Sequence, residues 1–237
     1  MMGLLEKTVG ELVVERPGRA RVFEGFGIDY CCGGQKPLKE ACRKKGLDPE
    51  MVQNVLGAFD EAARGGGERD WGTARLSDLA DHIEGVHHAY LKRELPRLAG
   101  WIAKVSAKYG EHDARLGKLM EVFSAFEAEL VNHMAKEEQV LFPLVRALEA
   151  GSVSEAHCGS VNNPIRVMMQ EHDDAGTALK RMSALTDEFT PPAQACNTYR
   201  ALLEGLAELQ RDMYQHVHKE NNILFPRAAE LERLVGV

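Results

Sequence analysis

Two histidine–glutamate pairs carry the first chemical signal in this chain. His133 and Glu137 stand four residues apart, as do His216 and Glu220. On an α-helix, positions i and i+4 lie one above the other on the same face. Each pair is therefore a preformed pincer of one imidazole nitrogen and one carboxylate. The surroundings match too. His-Met-Ala-Lys-Glu-Glu-Gln-Val-Leu-Phe-Pro, from His133 to Pro143, returns as His-Val-His-Lys-Glu-Asn-Asn-Ile-Leu-Phe-Pro, from His216 to Pro226. One imidazole and one carboxylate per helix, delivered twice, is what a two-metal centre in a helical bundle requires.

Two further histidines fall at corresponding offsets. The interval from His88 to His172 differs by one residue from that between His133 and His216. The intervals His88–His133 and His172–His216 also differ by one. The chain thus reads as two helix hairpins in tandem, each with a lone histidine on its first helix and His-x-x-x-Glu on its second. Two six-coordinate metals offer roughly twelve positions. Four imidazoles, two bridging carboxylates and a shared oxo or hydroxo group leave about two of these open, so the site would be reactive. Imidazole plus carboxylate suits iron, manganese or zinc, and the lack of thiolate argues against a structural zinc knot. A single histidine on an amphipathic helix is most often an exposed or satisfied core residue, but matched copies in matched contexts point to ligands. His82 and His87 compete with His88 for the first position. Glu138 and His218, next to or near the pincers, are expected to point elsewhere, because adjacent helix positions do not share a face. His112 and His157 have no repeat partner and are expected at the surface.

The neighbouring thiols Cys31 and Cys32, in Gly-Ile-Asp-Tyr-Cys-Cys-Gly-Gly, are the other chemical feature. Adjacent Cα atoms lie closer than a disulfide prefers, so a bond between the two would be strained and labile. Two small side chains in a tight turn is the plain reading. Flanking glycines suggest instead an open loop used for thiol exchange, for holding a metal or persulfide, or for a disulfide to another molecule. Cys42, Cys158 and Cys196 are read as ordinary residues. Five scattered cysteines do not look like a disulfide framework, and in a reducing compartment they would stay as thiols.

The elements that must position these groups are helical. Thr8 with Glu11 forms a capping-box pattern, Pro37 and Asp48-Pro49 start short helices, and Arg64-Gly65-Gly66-Gly67-Glu68 is the best linker candidate. From Leu76 the pattern turns to long helices, the first directing Leu79, Ile83, Val86 and Leu91 to a core. Pro96 ends or kinks that helix. The expected fold is all-α, an up-down-up-down four-helix bundle over 76–237, preceded by a small helical domain over 1–64 and a linker over 65–75. A formal charge of −7 argues against nucleic acid. No run of apolar residues is long enough for a membrane span, and the first residues lack a secretory pattern, so the expected compartment is the cytoplasm.

With these residues in hand, the chain resembles the RIC (repair of iron centres) family of di-iron proteins. Asp29-Tyr30-Cys31-Cys32-Gly33-Gly34 resembles the family's amino-terminal, ScdA-type cysteine motif. His133 to Glu138, Glu171-His172-Asp173 and Glu220 to Pro226 resemble its hemerythrin-like segments. The resemblance implies a hemerythrin-like bundle holding two oxo- or hydroxo-bridged iron ions. Its ligands would be His88, His133, Glu137, His172, His216 and Glu220, with both glutamates bridging and His87 an alternative to His88. It implies proton handling by Glu171, and iron supply to apo or damaged iron–sulfur proteins after nitric oxide or oxidative stress, with Cys31 and Cys32 passing iron or engaging the recipient. Reductive coupling of nitric oxide at the same site is an alternative, and hemerythrin-type dioxygen binding a lesser one. The sequence leaves dimerisation open.

Overall fold

The computed structural model describes residues 3–62, 70–152 and 159–235. Residues 65–69 of the expected linker, together with His157 and Cys158, lie outside them. The described residues form helices and turns, with one isolated bridge between Thr8 and Pro37. The α-helices are α1 (Val9–Glu15), α2 (Ala20–Gly25), α3 (Leu38–Lys44), α4 (Pro49–Ala62), α5 (Leu76–His82), α6 (Ala89–Tyr109), α7 (Arg115–Lys136), α8 (Phe142–Glu149), α9 (Asn162–Leu185), α10 (Asn197–Lys219) and α11 (Phe225–Val235). Three wider π-helical turns, Ile83–His88, Glu137–Leu141 and Glu220–Leu224, join α5 to α6, α7 to α8 and α10 to α11 without breaking the helix. The protein is all-α. No helix among the described residues is long and apolar enough to cross a membrane.

The residues group into two compact units, one comprising 1–80 with 214–237 and the other 81–213. In the first, short helices close around Leu12, Phe23, Tyr30, Leu38, Val52 and Leu56. The predicted capping box starts α1: the Glu11 N–H donates to Thr8 Oγ1 (3.2 Å) and the Thr8 N–H to Glu11 Oε2 (2.8 Å). Buried Arg19 pairs with Asp60 of α4 at 2.6 Å and donates to the Leu12 carbonyl at 3.0 Å, tying three helices together. Burying a guanidinium is tolerable only because its donors are used in this way.

In the second unit α7 packs against both α6 and α9. Their shared core uses the helical period: Leu91, Leu95, Leu98 and Ile102 on α6, Leu119, Phe123, Phe126 and Leu130 on α7, Met168, Leu179 and Met182 on α9. Gly205 lets α10 approach α6 closely, since a Cβ there would meet Leu98 Cδ2 at 2.8 Å. At the far end of α6, the Cys196 N–H donates to Tyr109 Oη (3.2 Å) and the Tyr109 ring sits 5.4 Å from that of Tyr199. Pro96 lies within α6 and does not end it.

One core expectation fails. Val86 is 48% exposed, whereas both His87 and His88 are buried. The cause is the π turn at Ile83–His88, which adds a residue to the turn and shifts the phase of the helix beyond it. The turns at Glu137–Leu141 and Glu220–Leu224 have a visible reason, because Pro143 and Pro226 come two residues after them. A proline ring clashes with the carbonyl four residues back in a regular α-helix, and a wider turn relieves that clash.

Candidate metal centre

The second unit gathers four of the six expected ligands. Glu137 is completely buried. Its Oε2 lies 3.4 Å from His88 Nε2 and 3.3 Å from His133 Nε2, so one carboxylate oxygen faces imidazoles from two helices. His133 Nε2 and His172 Nε2 approach to 3.1 Å. His133, Glu137 and His172 each offer a donor atom, all within 4.8 Å of one another. Two nitrogens that occupy neighbouring positions on a six-coordinate ion, with bonds of about 2.1 Å, lie about 3.0 Å apart. The arrangement fits such an ion.

The outer nitrogens explain why the inner ones are available. His88 Nδ1 lies 2.8 Å from Glu138 Oε1, and His133 Nδ1 lies 2.8 Å from Glu171 Oε2. An ionised carboxylate only accepts, so Nδ1 carries the proton in both rings and Nε2 keeps its lone pair for a metal. A lysine caps each pair: Lys92 donates to Glu138 at 2.6 Å, and Lys136 donates to Glu171. Burial pushes both carboxyls up, but the hydrogen bonds from lysine and histidine more than offset it and hold both pKa values below the ordinary glutamate value. Phe142 stacks on the His88 ring with centroids 5.7 Å apart and fixes its plane. His87 turns away. Its Nδ1 meets Asp212 Oδ1 at 2.9 Å and its ring meets His82 edge-on, so the structure brings His88, and not His87, to Glu137.

Glu138 is the residue that the sequence reading missed. It does point away from the position Glu137 faces, as expected, but it returns to the back of His88. The usable signal is Lys92, four residues after His88, much as Lys136 stands three residues after His133. His133, Lys136, Glu171 and His172 also line a cavity of about 290 Å³ with Phe126 and Leu130.

The first unit holds the second pincer. His216 Nε2 and Glu220 Oε1 are 3.0 Å apart, and both side chains are fully buried. Burying a carboxylate beside imidazole is costly unless both are compensated, and a cation is the usual solution. On neighbouring turns of the same helical run, His218 and Asn222 face the cysteine loop. Asn222 Nδ2 donates to the Tyr30 and Cys31 carbonyls, at 3.3 Å each, and His218 packs edge-on against the Tyr30 ring. Burial pushes the His218 pKa down to about 4, so it is neutral at neutral pH.

The cysteine loop is closed rather than open. Cys31 is only 3% exposed, and Cys32 is half-buried. The flanking glycines serve close packing: a Cβ on Gly34 would meet the Tyr30 carbonyl at 2.5 Å and Asn222 at 2.8 Å. Both cysteines are thiols, as are Cys42 and Cys196.

Comparison with known proteins agrees with this donor chemistry. Residues 79–228 match the hemerythrin HHE cation binding domain, and residues 5–60 match ScdA_N, a domain of unknown function (DUF542). An iron-sulfur cluster repair protein YtfE from Musicola paradisiaca is 39% identical over 223 residues, covering 94% of this chain and 96% of that protein. Proteins of the same name from Enterobacter sp. (strain 638) and Escherichia coli O157:H7 are each 36% identical over 227 residues, covering 96% of this chain and 98% of theirs. A buried histidine–glutamate metal centre within an HHE domain, preceded by an ScdA_N domain and shared along nearly the whole chain with these relatives, places this protein in the RIC family of iron–sulfur cluster repair proteins.

Proposed function

We propose that this protein repairs stress-damaged iron–sulfur clusters by holding two iron ions and supplying iron to apo or damaged iron–sulfur proteins in the cytoplasm, in answer to nitric oxide and oxidative stress. The ligands are His88, His133, Glu137, His172, His216 and Glu220, with Glu137 and Glu220 bridging and an oxo or hydroxo group completing the pair. The working division is a cysteine-bearing domain over 1–64, a linker over 65–75 and a di-iron bundle over 76–237. The names of the relatives support the activity, and the matched HHE segment takes in all six ligands.

The observation that carries the reading is the buried Glu137 oxygen set between the Nε2 atoms of His88 and His133. Iron here is cargo, and the donor set suits cargo. Every donor is a side chain, so protonating a carboxylate or an imidazole weakens its hold without disturbing the backbone. Glu138 and Glu171 keep the imidazoles in the binding tautomer, and Glu171, beside the cavity that reaches His133 and His172, is the group that moves a proton. Cys31 and Cys32 pass iron or engage the recipient.

Incubating the iron-loaded protein with an enzyme stripped of its cluster tests this. Activity should return with the wild type and more slowly with the Cys31→Ala, Cys32→Ala double variant. Equal rates would remove the thiols from the mechanism, and no recovery with the wild type would remove donation itself. The same cavity favours a second reading, reductive coupling of nitric oxide to nitrous oxide, because it offers a small molecule a route to His133 and His172. Counting gas formed per iron lost, with a reductant present, separates the two.

A further inference from the structure

The cysteine loop contains more donor atoms than thiol exchange needs. Cys31 Sγ lies 3.9 Å from Cys32 Sγ and 3.3 Å from Asp29 Oδ1. Asp29, Cys31 and Cys32 each place a donor atom within 4.8 Å of the others. Two sulfurs on a tetrahedral ion with metal–sulfur bonds of about 2.3 Å are about 3.8 Å apart, and a sulfur and a carboxylate oxygen are about 3.6 Å apart. The observed triangle is close to both values, and the sulfur separation is far too long for a disulfide.

The loop is built to keep that triangle. Asp29 Oδ1 accepts the N–H groups of Cys31 (3.3 Å) and Gly33 (3.0 Å), which aims the carboxylate at the thiols. A Cβ on Gly33 would meet the Asp29 carbonyl at 3.0 Å, so glycine eases the close fold-back of the chain here. Asn222 fixes the Tyr30 and Cys31 carbonyls from the other side.

We infer that Asp29, Cys31 and Cys32 form a second cation site, a tripod of two thiolates and one carboxylate for a divalent ion of borderline softness such as ferrous iron or zinc. On binding, each cysteine releases its proton to solvent and forms one metal–sulfur bond, Asp29 supplies one oxygen, and the fourth tetrahedral position stays open to water or an incoming ligand. No electron moves. The site uses none of the histidine–glutamate ligands, and it deepens the thiol part of the function proposed above while standing apart from the di-iron part.

Cobalt(II) is the probe, added to the full-length, metal-loaded protein with its thiols reduced. The expected result is one equivalent bound with thiolate-to-cobalt charge transfer in the near ultraviolet, and release of two protons per cobalt at neutral pH. Cys31→Ser and Cys32→Ser should each lose that band or cut it at least in half. Asp29→Asn, which keeps an oxygen for the backbone N–H groups, should retain it with at least ten-fold weaker binding. Cys42→Ser and Cys196→Ser should leave it unchanged. No charge-transfer band in the wild type, or a band that survives the double Cys31→Ser, Cys32→Ser change, overturns the proposal. Should the cysteine variants fold poorly, the proton count on the wild type still decides, since fewer than one proton released means that the thiols are not ligands. The same titration on Glu137→Leu should keep the band whether or not that variant loses its bundle metals, which separates failure of this site from failure of the di-iron reading.

Discussion

The two copies of the His-x-x-x-Glu segment share their ligand spacing and their closing Leu-Phe-Pro, yet differ in what the other residues do. In the first, Glu138 turns back to hold the Nδ1 of His88, and Gln139 is exposed. In the second, the corresponding positions are Asn221 and Asn222, and Asn222 holds the cysteine loop by two backbone carbonyls. Ala135 of the first copy is matched by His218 of the second, which packs on Tyr30. A duplicated unit has kept its metal-facing side and diverged on its back. One copy orients neighbouring ligands, and the other anchors the thiols.

The largest test of this contrast concerns the side that has not diverged. Glu137→Leu and Glu220→Leu should each abolish binding of both metals, read as metal per chain after purification. If one variant kept a full complement, the copies would not be equivalent. Next come the orienting carboxylates. Glu138→Gln and Glu171→Gln should each weaken metal affinity about 10- to 100-fold, because they disturb the tautomer that aims Nε2 inward. A competition titration with a chelator measures this, and Asn221→Ala should fall well below that range. Asn222→Ala should destabilise the protein by about 1–3 kcal/mol by leaving buried carbonyls without their donor. It should also speed alkylation of Cys31, whereas Gln139→Ala should do neither.

The smallest effect at neutral pH belongs to His218. Its pKa falls from 6.5 to about 4 on burial, so between those values the unfolded chain binds the proton that the folded one refuses. The stability this contributes is complete above about pH 6.5 and is lost as the pH falls towards 4. Thermal midpoints at pH 7 and pH 5 should therefore drop less in His218→Gln than in the wild type.

What the chain revealed before folding was whatever repeats at fixed spacing. The pincers, the matched His88 and His172, the helical class and the Thr8 cap all depend on local periodicity or on duplication. Long-range pairings were hidden. Nothing near Asn222 in the sequence announces Tyr30, and nothing near Cys31 shows that Asn222 will close the loop over it. Adjacent helix positions diverge, so spacing alone gives Glu138 no role, because that rule ignores where the divergent side chain lands. Val86 reads as inward only for a regular α-helix through Ile83–His88, which the π turn replaces. His88 could not be separated from His87 for the same reason, since each is inward in one of the two possible phases.

The three wide turns have a consequence for how such a chain tolerates insertion and deletion. Each is in effect one surplus residue, and a residue is worth about 100° of rotation along the screw. Removing Val140 or Ile223 should let the local ladder revert to ordinary winding with the sequence on both sides of the excision facing as before, whereas removing a residue from a regular stretch of α7 or α10 has no surplus to absorb it and swings one side by about 100°. The wide turns are thus where these helices tolerate loss of one codon, while the same loss in the regular winding can turn one pincer away with every donor residue still in the sequence.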